Sequence, residues 1–175
     1  MDDESHDDGS PEELASREPS VEDVVQICRE LNARGARYIV VGGFAIRHAG
    51  YSRTTMDIDL LVDPALGNEA KVFDALATLP DGAVRELDAG DVEKFTVVRV
   101  SDEVMVDVMA KASGISFEEA QGSIQVRELD GVKIPFANPD LLWRMKSRSI
   151  RPKDQGDLYF LRELFAAEGR QPPES

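Results

Sequence analysis

The fold turns on residues 40 to 62, VVGGFAIRHAGYSRTTMDIDLLV. Tyr38-Ile39-Val40-Val41 is a short, β-branched, apolar run that suits a buried strand, and it stops at Gly42-Gly43. A short helix from about Phe44 to Ala49 follows, and Gly50 breaks it. The polar residues Ser52, Arg53, Thr54 and Thr55 then lead into a second strand, Met56 to Val62. Within that strand Asp57 and Asp59 stand two apart among apolar residues. Side chains alternate across a strand, so both carboxylates project from one face. Like charges held that close in apolar surroundings repel each other and lose hydration, a cost that a cation would offset. A divalent metal such as Mg²⁺ suits the task, because hard cations take oxygen ligands from carboxylates and substrate phosphates together.

A third acid has a similar setting. In Val104-Met105-Val106-Asp107-Val108-Met109 one aspartate interrupts an apolar strand, and it completes a triad if that strand lies beside residues 56 to 62. Each acid also has a plainer reading: a solvated edge-strand face for Asp57 and Asp59, an arginine-paired structural acid for Asp107. The order of the pieces favours the triad. Glycines closing a strand let backbone approach a phosphate, and the helix that follows offers free N–H groups and its positive dipole end.

The stretch from Val41-Gly42-Gly43-Phe44-Ala45 to Arg53-Thr54-Thr55-Met56-Asp57-Ile58-Asp59-Leu60-Leu61 resembles the signature of polymerase β-like nucleotidyltransferases, above all the branch containing AbiEii-type toxins. The resemblance covers about residues 20 to 165. It implies an α+β fold, a mixed β-sheet flanked by helices, with further helices at the C-terminal end. It also implies that Gly42 and Gly43 help hold an NTP and that Asp57, Asp59 and Asp107 bind two Mg²⁺ ions. Arg53, Thr55, Lys146 and Lys153 become candidate nucleotide contacts, Lys153 because Lys153-Asp154 followed by Asp157 is similar to a nucleotide-facing motif of these proteins. The implied reaction moves an NMP from an NTP to a hydroxyl on an RNA end, a partner protein or a small molecule, with pyrophosphate leaving. A toxin–antitoxin setting fits that branch. The alternative is a catalytically silent nucleotide-binding or protein-interaction domain on the same scaffold.

The rest of the chain is consistent with one domain over residues 20–168. Ser20 and Asp23 form a capping-box pattern before a helix that Gly35 closes, and a helix from about Asn68 to Leu79 should cover the sheet. Strands are expected at 84 to 88, 94 to 100 and 103 to 109, the last two joined tightly through Ser101 and Asp102. A hairpin at 125–129 and 132–136 turns on Asp130-Gly131. Helices fill 139–168, the first opened by Asn138-Pro139. Cys28 lies on the apolar side of the first helix and reads as a buried thiol, while His48 reads as a packed or solvated helix residue.

The formal charge is −14, and residues 1 to 20 carry half of it as eight acids against one arginine. Residues 1–19 and 169–175 are therefore expected to be disordered tails, and His6 to be incidental. The acidic balance opposes long nonspecific nucleic acid. One basic concentration stands against it: Arg144, Lys146, Arg148, Arg151 and Lys153, with no acid from 144 to 153. It reads either as a solvated helix end or as a cleft wall that faces RNA. No apolar run reaches the roughly 20 residues of a membrane span and no signal peptide is apparent, so a cytoplasmic protein without a membrane partner is expected.

Overall fold

The Ser20 hydroxyl accepts from the Asp23 amide while the Asp23 carboxylate accepts from the Ser20 amide, and this reciprocal cap opens α1, Val21–Ala33. The computed structural model describes residues 15–174. After α1 come β1 (Tyr38–Val41), α2 (Gly42–Ala49), β2 (Asp57–Val62) and α3 (Leu66–Leu76). A single 3₁₀ turn at Ala83–Glu86 and the short α4 (Asp91–Phe95) lead into β3 (Val97–Ser101) and β4 (Met105–Met109). The small β5 (Lys111–Ala112) and β6 (Ile115–Ser116), α5 (Phe117–Ala120), the hairpin β7 (Ile124–Leu129) and β8 (Val132–Ala137), and finally α6 (Pro139–Lys146) and α7 (Pro152–Ala167) complete the chain.

The main sheet is six-stranded, in the order β3-β4-β2-β1-β8-β7. It is mixed: β1 runs antiparallel to β2 and parallel to β8, while β2 runs parallel to β4. The central strands are buried on both faces, which is why β1 reads as an unbroken apolar run. Leu31, Ile39, Ile46, Ile58, Leu60, Leu61, Leu141 and Phe165 are fully buried in the shared core. Cys28 lies there too, and burial pushes its thiol up to about 12. Helix α1 packs on α3 and β8, and α2 packs between β1, β2, β8 and α6. The expected α+β class, with a mixed sheet flanked by helices, is the observed one. Asp130 and Gly131 both take positive φ at the β7–β8 turn, as a type I′ hairpin requires.

The expected strand at 84 to 88 is absent, and the expected strand at 94 to 100 begins only at Val97. Two buried carboxylates explain both. Asp102 accepts from the amides of Asp81, Ala83 and Glu103, which coils the chain around Val84 instead of extending it. Glu69, on α3, accepts from Gly90 and Val92 and so starts a helical turn at α4. Asp102 also lengthens the β3–β4 connection, because Ser101 pairs with Met105 across a three-residue turn.

Residues 1–14 of the expected acidic tail lie outside the described residues. Its last part runs along the β3–β4 turn, where Ser16 donates to the Asp102 carbonyl at 2.6 Å and the Arg17 amide to that of Glu103 at 2.9 Å. In the second expected tail, Arg170 pairs with Asp140 and Glu168. Among the described residues no helix is long and apolar enough to cross a membrane.

Asp102→Ala leaves three backbone donors without their acceptor, so it should destabilise the protein by about 2–4 kcal/mol. Glu103→Ala, which removes only an exposed ion pair, should cost under about 0.5 kcal/mol in the same urea titration.

Candidate functional site

Strand register brings the acids together. Asp59 lies opposite Asp107 across the parallel β2–β4 pair and opposite Val41 across the antiparallel β1–β2 pair. The diglycine that ends β1 is therefore beside Asp59, and the third acid is on its other side. Partners in register share a face, so Asp57, Asp59 and Asp107 project together, with one oxygen of each within 4.8 Å of those of the other two. Gly42 has φ +67, and any Cβ on it would collide with the Asp59 carboxylate. A Cβ on Gly43 would stand 2.6 Å from Thr55 Cβ. Both glycines are thus required by close approach. Helix α2 starts at Gly42 with no side-chain cap, so no side chain takes up its first amides.

The triad is only partly compensated. Arg99, opposite Asp107 on β3, donates to it from Nε at 2.8 Å and from Nη2 at 2.9 Å, and also reaches Asp57 at 3.4 Å. One guanidinium thus faces three carboxylates. Burial, with Asp57 and Asp107 adding to it, pushes Asp59 up to about 7, although Lys153 and Lys146 pull the other way. Three hard oxygen donors with surplus negative charge fit a divalent cation.

The cations come from two further places. Arg53, in the loop before β2, holds both oxygens of the buried Asp157 on α7, at 2.7 and 2.9 Å. The Lys146 ammonium, at the end of α6, sits 2.9 Å from both Asp154 and Asp157. Asp154 also accepts from Ser149 and Arg151. Burial alone would raise its pKa, but these donors and Lys146 outweigh burial and hold it at about 2. Gly42, Gly43, Arg53, Thr55, Asp57, Asp59, Asp107, Lys146 and Lys153 all line one cavity of about 340 Å³. Lys153 makes no ion pair among the described residues, whereas the charge of Lys146 is taken up by two carboxylates. His48 is remote from the cavity and stacks on Phe136, with ring centroids 4.1 Å apart.

Arg99 is the residue that sequence reading passes over. A two-residue turn at Ser101-Asp102 would set Thr96 opposite Asp107; the three-residue turn sets Arg99 there. The signal was present in the alternation of Val97, Arg99 and Ser101 with the buried Val98 and Val100. The arginine-paired reading of Asp107 and the triad reading both describe the geometry.

A sheet of this order, carrying three clustered aspartates beside a strand-ending diglycine, defines a nucleotidyltransferase fold. A crystal structure of a candidate nucleotidyltransferase from Thermotoga maritima matches it with a TM-score of 0.50 at 13% identity, over 84% of this chain and 92% of that one. A nucleotidyltransferase-like antigenic protein from Paracoccidioides brasiliensis gives 0.49 at 18% identity, over 86% and 78%. The family described as "Nucleotidyl transferase of unknown function (DUF2204)" matches residues 20–170, and the chain belongs to it. Among curated proteins there is no match.

Asp59 is raised from its ordinary 3.8 to about 7, so between those values the folded chain keeps a proton that the unfolded chain has lost. Without metal, stability should fall as pH rises through this window and level off above about 7. Mg²⁺ competes with that proton. The melting-temperature gain on adding saturating Mg²⁺ should therefore be small near pH 6 and grow through pH 8, and Asp59→Asn should abolish both trends. Gly42→Ala should destabilise by about 2 kcal/mol or more through its left-handed backbone and the collision with Asp59. Its melting temperature should no longer respond to Mg²⁺.

Proposed function

We propose that this protein is a Mg²⁺-dependent nucleotidyltransferase that moves an NMP from an NTP to a hydroxyl acceptor. The observation that carries the reading is the convergence of Asp57, Asp59 and Asp107 beside the uncapped start of α2 in one cavity. In this reading Asp57, Asp59 and Asp107 would hold the two Mg²⁺ ions. Bound there, Mg²⁺ would supply positive charge to the phosphates and to the oxygens that change charge in the displacement.

The chain's own groups do the rest. Gly42 and Gly43 bring backbone close enough for the α2 amides to donate to phosphate oxygens. Lys153 supplies a positive charge, unpaired among the described residues, in the cavity lining, and Arg53 keeps the loop carrying Thr55 in register with α7 through Asp157. Asp107, whose carboxylate Arg99 orients, accepts the proton of the attacking hydroxyl. The 13-residue gap between Gly43 and Asp57, with Lys153-Asp154 followed by Asp157, supports kinship with the AbiEii-type branch and a toxin–antitoxin setting.

Incubation with each NTP labelled at the α-phosphate, Mg²⁺, total RNA and a cell lysate should label one acceptor class. Asp57→Ala, Asp59→Ala and Asp107→Ala should each reduce transfer by at least about 10²-fold. Undiminished transfer in any of the three would exclude the assignment. Retained NTP binding with no acceptor labelled under any condition is the result expected of a silent nucleotide-binding domain.

A further inference from the structure

A second cavity, of about 610 Å³, opens between the turn joining β5 to β6 and the linker from α6 to α7, and it shares Ser113, Met145 and Arg151 with the first. Its charged lining is Arg144, Arg148 and Arg151, with no carboxylate among the lining residues. Only Arg151 is ion-paired, to Asp154, whose charge Lys146 also draws on. Arg144 donates to the neutral Ser123 hydroxyl at 2.7 Å. Arg148 makes no side-chain hydrogen bond or ion pair among the described residues. Two guanidinium charges are thus uncompensated in one concavity, in a chain whose formal charge is −14.

We propose that this cavity holds a phosphate group of the acceptor, next to the hydroxyl that receives the nucleotide. The inference rests on the nucleotidyltransferase reading and narrows its acceptor to a phosphorylated one. Guanidinium forks match phosphate oxygens in pairs, and three of them around one cavity select a phosphate over a neutral or cationic group. No aromatic side chain lines the cavity, so it offers no platform for stacking a base. Recognition is then of backbone or phosphate monoester, not of base sequence. Arg151 borders both cavities and so joins the phosphate site to the cavity that holds the triad. An RNA end and a small phosphorylated sugar or nucleotide present the same group, and RNA is the source the open, sequence-blind lining favours.

The test uses the full chain in EDTA, without NTP, so it is blind to whether transfer occurs. Binding of a short labelled RNA is followed by anisotropy, with a sugar phosphate, inorganic phosphate and an unphosphorylated serine peptide as competitors. Arg148→Glu, which breaks no internal contact, and Arg144→Ala should each weaken RNA binding roughly tenfold, while Arg29→Ala on α1 should not. With one phosphate engaged, the logarithm of affinity should fall with that of salt at a slope of about −0.7. Competition by the sugar phosphate to the same extent, lost in both variants, would assign the cavity to a small acceptor within the same proposal. Absence of binding by both RNA and sugar phosphate, or binding that both variants leave unchanged, overturns it. A separate titration with Mg²⁺-NTP overturns it too if the Kd rises in these variants while RNA binding stays intact, which would give the arginines to the nucleotide. Intact RNA binding in a protein that never transfers label would refute the enzymatic reading and leave the phosphate site standing.

Discussion

Mutual repulsion of three carboxylates on adjacent strands is the constraint around which the site is built. Asp57 and Asp59 share a face because the pleat has period two, and Asp107 joins them because β2 and β4 run parallel in the register that sets residue 59 against residue 107. A sheet interior would normally reject such a cluster. It persists because the face opens into a cavity, because Arg99 braces one side, and because Lys146 and Lys153 lie near enough to oppose part of the charge on Asp59. Asp59 has its pKa raised first by burial and then by Asp57 and Asp107, and a dication bound there would offset both.

A second set of buried charges has the opposite character. Asp154 and Asp157 are fully buried, yet nearly every oxygen is matched: Arg53 forks onto Asp157, Lys146 bridges the two, and Ser149 and Arg151 complete Asp154. A satisfied buried network contributes less to stability than to uniqueness of arrangement. Here it ties the loop before β2 and the ends of α6 and α7 into one geometry. The cavity wall therefore comes from elements roughly a hundred residues apart in sequence, held by ion pairs as well as by packing.

What the sequence made legible follows from which forces act locally. The run 38–41, its glycine stop, the strand with alternating acids and the Asp130-Gly131 hairpin are set by side-chain period and turn chemistry, and the structure contains them all. Local pattern was insufficient where a distant carboxylate captured backbone amides. Asp102 and Glu69 turned an expected strand into a 3₁₀ turn and a helical turn, and nothing within 81 to 95 advertises partners at 69 and 102. The same Asp102 shifted the β3–β4 register by three residues and hid Arg99. The β5–β6 and α5 segments are too short for periodicity to register. Lys146 was legible as a cavity residue but not as one already paired, since its partners lie a helix away.

Net charge misleads for a related reason. An excess of fourteen negative charges argues against polyanionic ligands only if the charges are spread evenly, and they are not. Half fall in the first twenty residues, and two buried acids are neutralised inside the α6–α7 network. Around the cavities Arg53, Arg144, Lys146, Arg148, Arg151 and Lys153 have only Asp154 and Asp157 as ion-pair partners among the described residues, while the triad keeps a surplus of negative charge. The cleft therefore has an acidic floor and a basic wall. With a Debye length of roughly 8 Å at physiological salt, a phosphate inside it responds most to the charges of that wall. Local arrangement, with cations to receive phosphate and carboxylates to receive metal, is what makes an acidic protein compatible with a phosphate-rich substrate.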